Sequence, residues 1–534
     1  MRLTAACAAT LLAPWLPLAA QRAAAPGPTP APQGPAPVLV VHVTVDQLRG
    51  DYLERWRAEW TGGFARLLRE GAWFSDAHQD HAMTETAPGH ASMLSGRNPR
   101  GTRIIRNQNG VEDAGTTLVG WSDPGASPLR FRGTALFDWI LARWPDARAL
   151  SVSRKDRGAI LPIGRAMQEV YWWHRGSFTT STYYADTLPE WVRRFNAAEL
   201  PRFQSRAVWT LLLPEAAYPE PDDQPWEGEE GGAAAIFPHA RPESVAVTVR
   251  SFGVSPWMDE ATLALALDGV ERLDLGRGPH PDLLAVSLSS TDNIGHAFGP
   301  DSREIHDQLL RLDRVLGAFL DSLGRLRDPA RIIVSLSADH GVTTLPEYAR
   351  AHGVDEAQRV SLDTLWVRLW GELQAAAGPG PWIRFFDLGL LALDRRNLAA
   401  RRVNVDSVVD AVRAVALRHP GVGRVDTRRT LARADTARDA IARRWIHAVP
   451  ADIGGELFIT LRPSNVWGAR RIAEHGVPLD PDTHVPIILW GAPFRPGTYT
   501  DRVSVTDIAP TLARVLGIRP SERVDGRVLG EALR

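Results

Sequence analysis

Three stretches carry apolar residues without the in-and-out alternation of a half-exposed strand. They are VLVVHVTV running into Asp46, PDLLAVSLSSTDNIGH running into Asp292, and ARIIVSLSADHG running into Asp339 and His340. Such near-continuous runs mark strands buried on both faces of a parallel sheet. Between them lie helical patterns, for example HDQLLRLDRVLGAFLDSLGRL at 306–326. Alternating strand and helix predicts an α/β fold built on a doubly wound, mainly parallel sheet flanked by helices. In such sheets ligands gather beyond the carboxyl ends of the strands. Three carboxylates at three strand ends therefore point to one shared site.

Two long stretches interrupt the alternation. Residues about 160–280 are rich in Trp, Tyr and Pro and include the acidic loop EAAYPEPDDQPWEGEE at 215–230. Residues about 345–480 bring helix and strand signals of their own, such as VDSVVDAVRAVALRH and GELFITLRP. Both read as insertions capping the active edge of the sheet. The sheet then resumes with THVPIILWG and closes on VSVTDIAPTLARVLGI, with Asp507 near the start of the last helix.

The N-terminus has one early arginine, a short apolar run and small residues up to Ala25. This predicts a signal peptide over 1–25, a proline-rich linker over 26–37 and a catalytic domain over 38–534, exported to the periplasm or beyond. The apolar run is too short and too broken by proline to span a membrane. Cys7, the one cysteine, falls in the leader, so disulfides and thiolate chemistry are excluded from the mature chain. The composition of the whole chain, 44% hydrophobic and 23% charged, is that of a soluble globular protein. A net charge of −1 over 534 residues gives no reason to expect nucleic acid or an anionic membrane as partner.

Several acidic and imidazole residues collect at the strand ends. Asp292 and His296 are four apart, so one helical turn places both on the same face. Asp339 and His340 are adjacent in a loop, Asp46 ends the first strand, and His484 immediately precedes a strand. Three aspartates and three histidines suffice for two sites of three protein ligands with open positions, as catalytic zinc requires; a single Asp–His pair reads equally as an ion pair. In HAMTETAPGHASMLSG, Pro88 and Gly96 bracket a helix that begins at Thr86. Thr86 is then either an ordinary capping threonine or a hydroxyl that loses its proton to metal coordination. Among 61 basic residues Lys155 is the single lysine, which reads either as chance or as a compact ammonium kept where a planar guanidinium fork does not fit.

Taken in order, Asp46, TAPGH, RIIRN ending at Asn107, SRKDRGAILP, TDNIGH, SADHG and DTHVP resemble the signature segments of the alkaline phosphatase superfamily. The resemblance is greatest to the phosphate-irrepressible, PafA-type alkaline phosphatases, with the nucleotide pyrophosphatase/phosphodiesterase branch as a near relative. Sulfatases differ, because they need a Cys or Ser in a C/S-x-P-x-R segment. The resemblance implies two Zn²⁺ ions, one on Asp292, His296 and His484 and the other on Asp46, Asp339 and His340; another divalent metal also suits these donors. It implies Thr86 as the nucleophile forming a phosphothreonine, with Asn107, Lys155 and Arg157 on the non-bridging oxygens and His90 and Asp507 as structural residues.

With two zinc ions, three aspartates and a Thr86 alkoxide, the metal core carries no net charge. Lys155 and Arg157 then add two positive charges, which match the dianion of a phosphate monoester better than the monoanion of a diester. If the segment is extended, residues two apart share a face and both cations point at the substrate. A small phosphate monoester is thus the expected partner. The competing expectations are a phosphodiesterase with the same metal ligands and a catalytically silent, metal-binding surface protein.

Overall fold

The computed structural model describes residues 35–108, 110–227, 235–240, 245–469 and 472–534. The expected signal peptide, and the linker as far as residue 34, lie outside the described residues. In chain order, ten strands form the central sheet. They are β1 (Leu39–Val45), β2 (Ala72–His78), β3 (Ala149–Ser153), β4 (Glu169–His174) and β5 (Ser177–Thr179), then β6 (Asp282–Leu288), β7 (Ile332–Ser337), β8 (His484–Trp490), β9 (Gly497–Tyr499) and β10 (Val503–Ser504). Their spatial order is β9-β2-β8-β7-β1-β6-β3-β4-β5, with β10 also on β2. The centre, from β4 through β3, β6 and β1 to β7, is parallel. Every residue of β1, β6 and β7 is buried, which is why their sequences do not alternate.

β8 runs antiparallel to both of its neighbours, β7 and β2. Its first residue, His484, therefore lies at the edge where the parallel strands end. Part of the stretch read as the first insertion belongs to the sheet instead: β4 and β5 extend it, and the helix Trp257–Arg272 packs on β3 and β6. Several of its aromatic side chains, including Tyr171, Trp172 and Trp257, are accordingly core.

The second stretch builds a lobe with its own four-stranded sheet, Ile383–Asp387, Leu390–Leu393, Leu457–Leu461 and Val422–Thr427 in spatial order. The helices Leu362–Ala377 and Val405–Leu417 close a separate hydrophobic core over it. A smaller apolar cluster joins this lobe to the main body, setting Leu390, Leu431, Trp445 and Phe458 against Ala82, Met83 and Ile105. The lobe thus sits on the two segments that lead into Thr86 and Asn107. Among the described residues, no helix is long and apolar enough to cross a membrane.

Candidate active site

The helix Thr86–Ser95 is buried along its whole length and ends at Gly96 in the left-handed region (φ 65°). Glu85, in extended conformation, occupies the cap position and no side chain caps the helix, so the Thr86 hydroxyl is not spent on capping. Gly89 lets this helix approach β7 closely, because a Cβ there would lie 2.1 Å from the Asp339 carbonyl oxygen. Gly89→Ala is therefore expected to cost about 1–3 kcal/mol of stability through overpacking. Urea unfolding, alongside residual activity, measures that cost.

Asp46, Asp292, Asp339 and His340 are all buried at the carboxyl ends of β1, β6 and β7. His340 Nε2 stands 3.5 Å from Asp46 Oδ1, 3.8 Å from Asp339 Oδ2 and 3.9 Å from Asp292 Oδ1. His296 Nε2 is 3.3 Å from Asp292 Oδ1, one helical turn away as the spacing predicts. Five of the six expected donors therefore converge.

The sixth does not. His484 donates Nε2–H to the Ser75 carbonyl at 2.7 Å and stacks on His78, with ring centroids 5.1 Å apart. It faces β2, where it pairs in register with His78, so the placement implied by the resemblance is corrected. In its stead His475, from the loop AEHGV, lays its ring on His340 at 3.7 Å and brings Nε2 to 3.8 Å from Asp292 Oδ1. Asp76, His78 and His484 form a group of their own. Two guanidiniums already engage it, Arg502 Nη2 at 2.8 Å from His78 Nε2 and Arg444 Nη2 at 3.3 Å from His78 Nδ1. That group is an ion-pair network.

The cluster fits metal ions on three counts. First, the donor atoms of Asp46, Asp339 and His340 lie within 4.8 Å of one another, as do those of Asp292, His340 and His475. Second, Asp46 Oδ1 and His340 Nε2 are buried without hydrogen-bonding partners. Third, each imidazole gives its Nδ1–H to a backbone carbonyl: His340 to Gly341 at 2.9 Å, His475 to Thr84 at 2.6 Å, and His296 to Ala473. This fixes the tautomer that turns the Nε2 lone pair inward, the usual support of a metal-ligating histidine.

The electrostatics agree. Burial pushes Asp46 up to about 6, and the charges of Asp292 and Asp339 add to the push while Lys155 and His340 oppose it. Burial also opposes ionisation of Asp292, yet Lys155 and then His296 hold it well below the ordinary carboxylate range. Buried carboxylates in this number call for positive charge beyond one lysine.

Lys155 Nζ lies 3.2 Å from Thr86 Oγ1, 2.6 Å from Asp292 Oδ2 and 2.7 Å from Asp46 Oδ2. Its segment is not a continuous extended run: Lys155 is extended (φ −97°, ψ 138°), but Asp156–Ile160 is a short helix. Arg157 is thus aimed by a helical first turn and not by strand alternation. Asn107 is tied across the start of the Thr86 helix, its Oδ1 accepting from Ala87 N at 2.8 Å and its own amide donating to Glu85 Oε2 at 3.0 Å. His90 donates Nδ1–H to the Thr86 carbonyl at 2.9 Å and lies 3.1 Å from Asp339 Oδ2. Asp507 accepts the Ser504 and Arg527 amides.

Two positioning residues were not foreseen. Gln47 follows Asp46 in the left-handed region (φ 65°), where its amide reaches Asp339 Oδ1 at 3.2 Å and its Nε2 reaches Asp292 Oδ1 at 3.1 Å. Gly295 of TDNIGH leaves room for it, since a Cβ there would meet Gln47 Oε1 at 2.1 Å. Asp482 of DTHVP accepts from Thr343 Oγ1 at 2.6 Å and Val477 N at 2.9 Å, and its carbonyl accepts from Gly341 N at 2.8 Å. It pins the loops that carry His340 and His475.

Residues 40–454 match the family described as type I phosphodiesterase/nucleotide pyrophosphatase. Alkaline phosphatase PhoK of Sphingomonas sp is 32% identical over 529 residues, covering 92% of this chain and 91% of its own. Alkaline phosphatase PafA of Elizabethkingia meningoseptica is 29% identical, covering 93% and 95%. The crystal structure of wild-type PafA superposes with a TM-score of 0.87 at 29% identity, covering 94% of this chain and 99% of that one. On the sequence match and the superposition together, the chain belongs to the type I phosphodiesterase/nucleotide pyrophosphatase family and has full-length relatives among the alkaline phosphatases.

Proposed function

We propose that this chain is an exported phosphatase that hydrolyses phosphate monoesters at two metal ions through a phosphothreonine on Thr86. The observation that carries the reading is the Thr86 hydroxyl at a helix N-terminus, uncommitted to capping and 3.2 Å from Lys155 Nζ, beside a buried cluster of aspartates and histidines. Asp46, Asp339 and His340 would hold one ion and Asp292, His296 and His475 the other, zinc being an ion whose catalytic sites take three protein ligands of these types. Bound there, the ions supply Lewis-acid charge at the attacking and leaving oxygens.

The chain's own residues account for the remaining chemistry. The helix N-terminus and the Lys155 ammonium favour the Thr86 alkoxide, whose proton goes to solvent water. That oxygen forms a bond to phosphorus as the P–O bond to the leaving group breaks, and the electron pair departs with the leaving oxygen. Lys155, already on Thr86 Oγ1, passes to a non-bridging phosphoryl oxygen, while Arg157 and the Asn107 NH₂ hold the others. With Asn107 Oδ1 committed to Ala87, the NH₂ is the end that meets substrate. Water then hydrolyses the phosphothreonine, releasing phosphate and restoring the hydroxyl. One solved PafA chain carries changes at a threonine, an asparagine, a lysine and an arginine, the four residue types assigned here to Thr86, Asn107, Lys155 and Arg157.

The match over residues 40–454 favours a second reading, cleavage of phosphodiesters. Two cations beside the nucleophile favour the doubly charged monoester instead, each close contact being worth more than the ~1.4 kcal/mol that changes a rate tenfold. The test is turnover of p-nitrophenyl phosphate, bis(p-nitrophenyl) phosphate and p-nitrophenyl sulfate by zinc-loaded protein. The monoester is expected to lead in kcat/KM by about 100-fold or more. A lead for the diester would overturn the proposal.

A further inference from the structure

Arg154, next to Lys155 and just past the end of β3, is half-buried and differs from Arg444 and Arg327 in what its guanidinium meets. Arg444 reaches the Pro478 carbonyl and Asp480, and Arg327 is spent on three carbonyls, those of Leu275, Leu326 and Val270. Arg154 Nε is buried without any hydrogen-bonding partner, and no carboxylate among the described residues stands at ion-pair distance from this guanidinium. Its contacts are the face of Trp173, 5.9 Å from Cζ to the ring centroid, and the backbone at Gly253. Gly253 makes the placement possible, since a Cβ there would lie 2.9 Å from Arg154 Nη2 and 3.0 Å from Nε.

Two more buried N–H groups on the same elements also lack acceptors, Arg157 Nε and Trp173 Nε1. A desolvated donor left unmatched is costly, and a desolvated cation more so. Burial foremost disfavours the charge on Arg154 and lowers its pKa; Asp292 pulls it back and Arg157 pushes it down again. Arg157 pairs with its neighbour Asp156, Nη1 to Oδ1 at 3.6 Å, so of the two guanidiniums flanking Lys155 it is Arg154 that has no anionic partner among the described residues.

We infer that Arg154, with Trp173 beside it, forms a second anion subsite next to the phosphoryl pocket, which selects phosphate monoesters whose leaving group carries a further carboxylate or phosphate. This subsite rests on the phosphatase reading. The phosphoryl group engages Thr86 and Lys155, and the leaving group extends past Arg154 toward Trp173. The half-buried Trp173 indole offers apolar surface to an aryl or other planar body. The guanidinium fork takes two anionic oxygens side by side.

The test compares phenyl phosphate with 4-carboxyphenyl phosphate, which differ by one negative group remote from phosphorus, on metal-loaded enzyme and its Arg154→Leu, Arg154→Lys and Gly253→Ala variants. Arg154→Leu is expected to raise KM for the carboxylated ester about tenfold with kcat held within about twofold. KM for phenyl phosphate should move less than about twofold. Arg154→Lys should recover part of the loss, and inhibition by pyrophosphate should weaken more than inhibition by orthophosphate. Gly253→Ala only crowds the far end of the Arg154 side chain, so it should show the same split on a smaller scale even if Arg154→Leu folds poorly. Equal shifts for both esters, or none for either, would overturn the subsite alone. Unmodified enzyme that leaves phenyl phosphate intact would overturn the phosphatase reading and the subsite with it.

Discussion

Thr86→Ala is expected to lower kcat for a phosphate monoester by about ten-thousand-fold or more while fold and metal content stay intact. Removing a nucleophile from an otherwise complete site leaves only the catalysis that binding and fixed charges provide, which is orders of magnitude weaker. The scaffold should not notice the change. Thr86 does not cap its helix, and the bonds that fix the helix start run between Ala87 N and Asn107 Oδ1 and between Asn107 N and Glu85 Oε2. The side chain's one hydrogen bond is accepted from Lys155 Nζ, which keeps its contacts with Asp46 and Asp292. Thr86→Ser retains the hydroxyl and should retain far more activity. Acid-quenched wild-type enzyme should carry phosphate on Thr86, and the alanine variant none. Turnover within tenfold of wild type in Thr86→Ala would mean that water attacks phosphorus directly, and the covalent route would fall.

What was legible in the sequence follows from what the fold forces on the sequence. β1, β6 and β7 are buried on both faces, so their apolar runs stand out, and a polar residue at the end of such a run has few reasons to be there except chemistry. Asp46, Asp292, Asp339 and His340 were found that way. Thr86 was found because Pro88 and Gly96 bracket its helix, and His296 because i and i+4 share a helical face. Lys155 was singled out by composition alone, and its ammonium does lie at the Thr86 hydroxyl. Strand alternation does not pair it with Arg157, because the helix Asp156–Ile160 begins immediately after Lys155.

The remainder depends on long-range geometry that local patterns do not carry. Gln47 acts through a left-handed backbone conformation, unusual for a residue other than glycine, that nothing in the residue's type announces. The direction of β8 is set by its partners and not by its composition, because a buried antiparallel strand reads like a buried parallel one. The region about 160–280 looked like a cap because it is rich in Trp and Pro, yet β4 and β5 continue the sheet and bury much of that aromatic surface. Imidazole in an irregular loop has no periodicity to betray it. One signal was present all the same: His475 is followed by glycine, as His340 is in SADHG, and both histidines spend Nδ1 on nearby carbonyls of irregular backbone.

The choice between His475 and His484 yields the second large effect. His475→Ala is expected to cost about one bound metal ion per chain and to lower kcat/KM for a monoester about a thousand-fold or more, since loss of an inner ligand must exceed the 10–100-fold typical of its outer-shell supports. His484→Ala should keep two ions per chain and near-normal kcat, because its Nε2 is committed to the Ser75 carbonyl and its ring to His78. What that variant loses is packing against Gly50, whose Cα faces the imidazole so closely that a Cβ would come within 2.5 Å of it, and one buried hydrogen bond. About 1–3 kcal/mol of stability should go with them. Elemental analysis of the dialysed variants, steady-state kinetics and urea unfolding together separate the outcomes. If His484→Ala sheds the ion and His475→Ala keeps it, the stacking of His475 on His340 is structural, and the site as assembled here from Asp292, His296 and His475 is wrong.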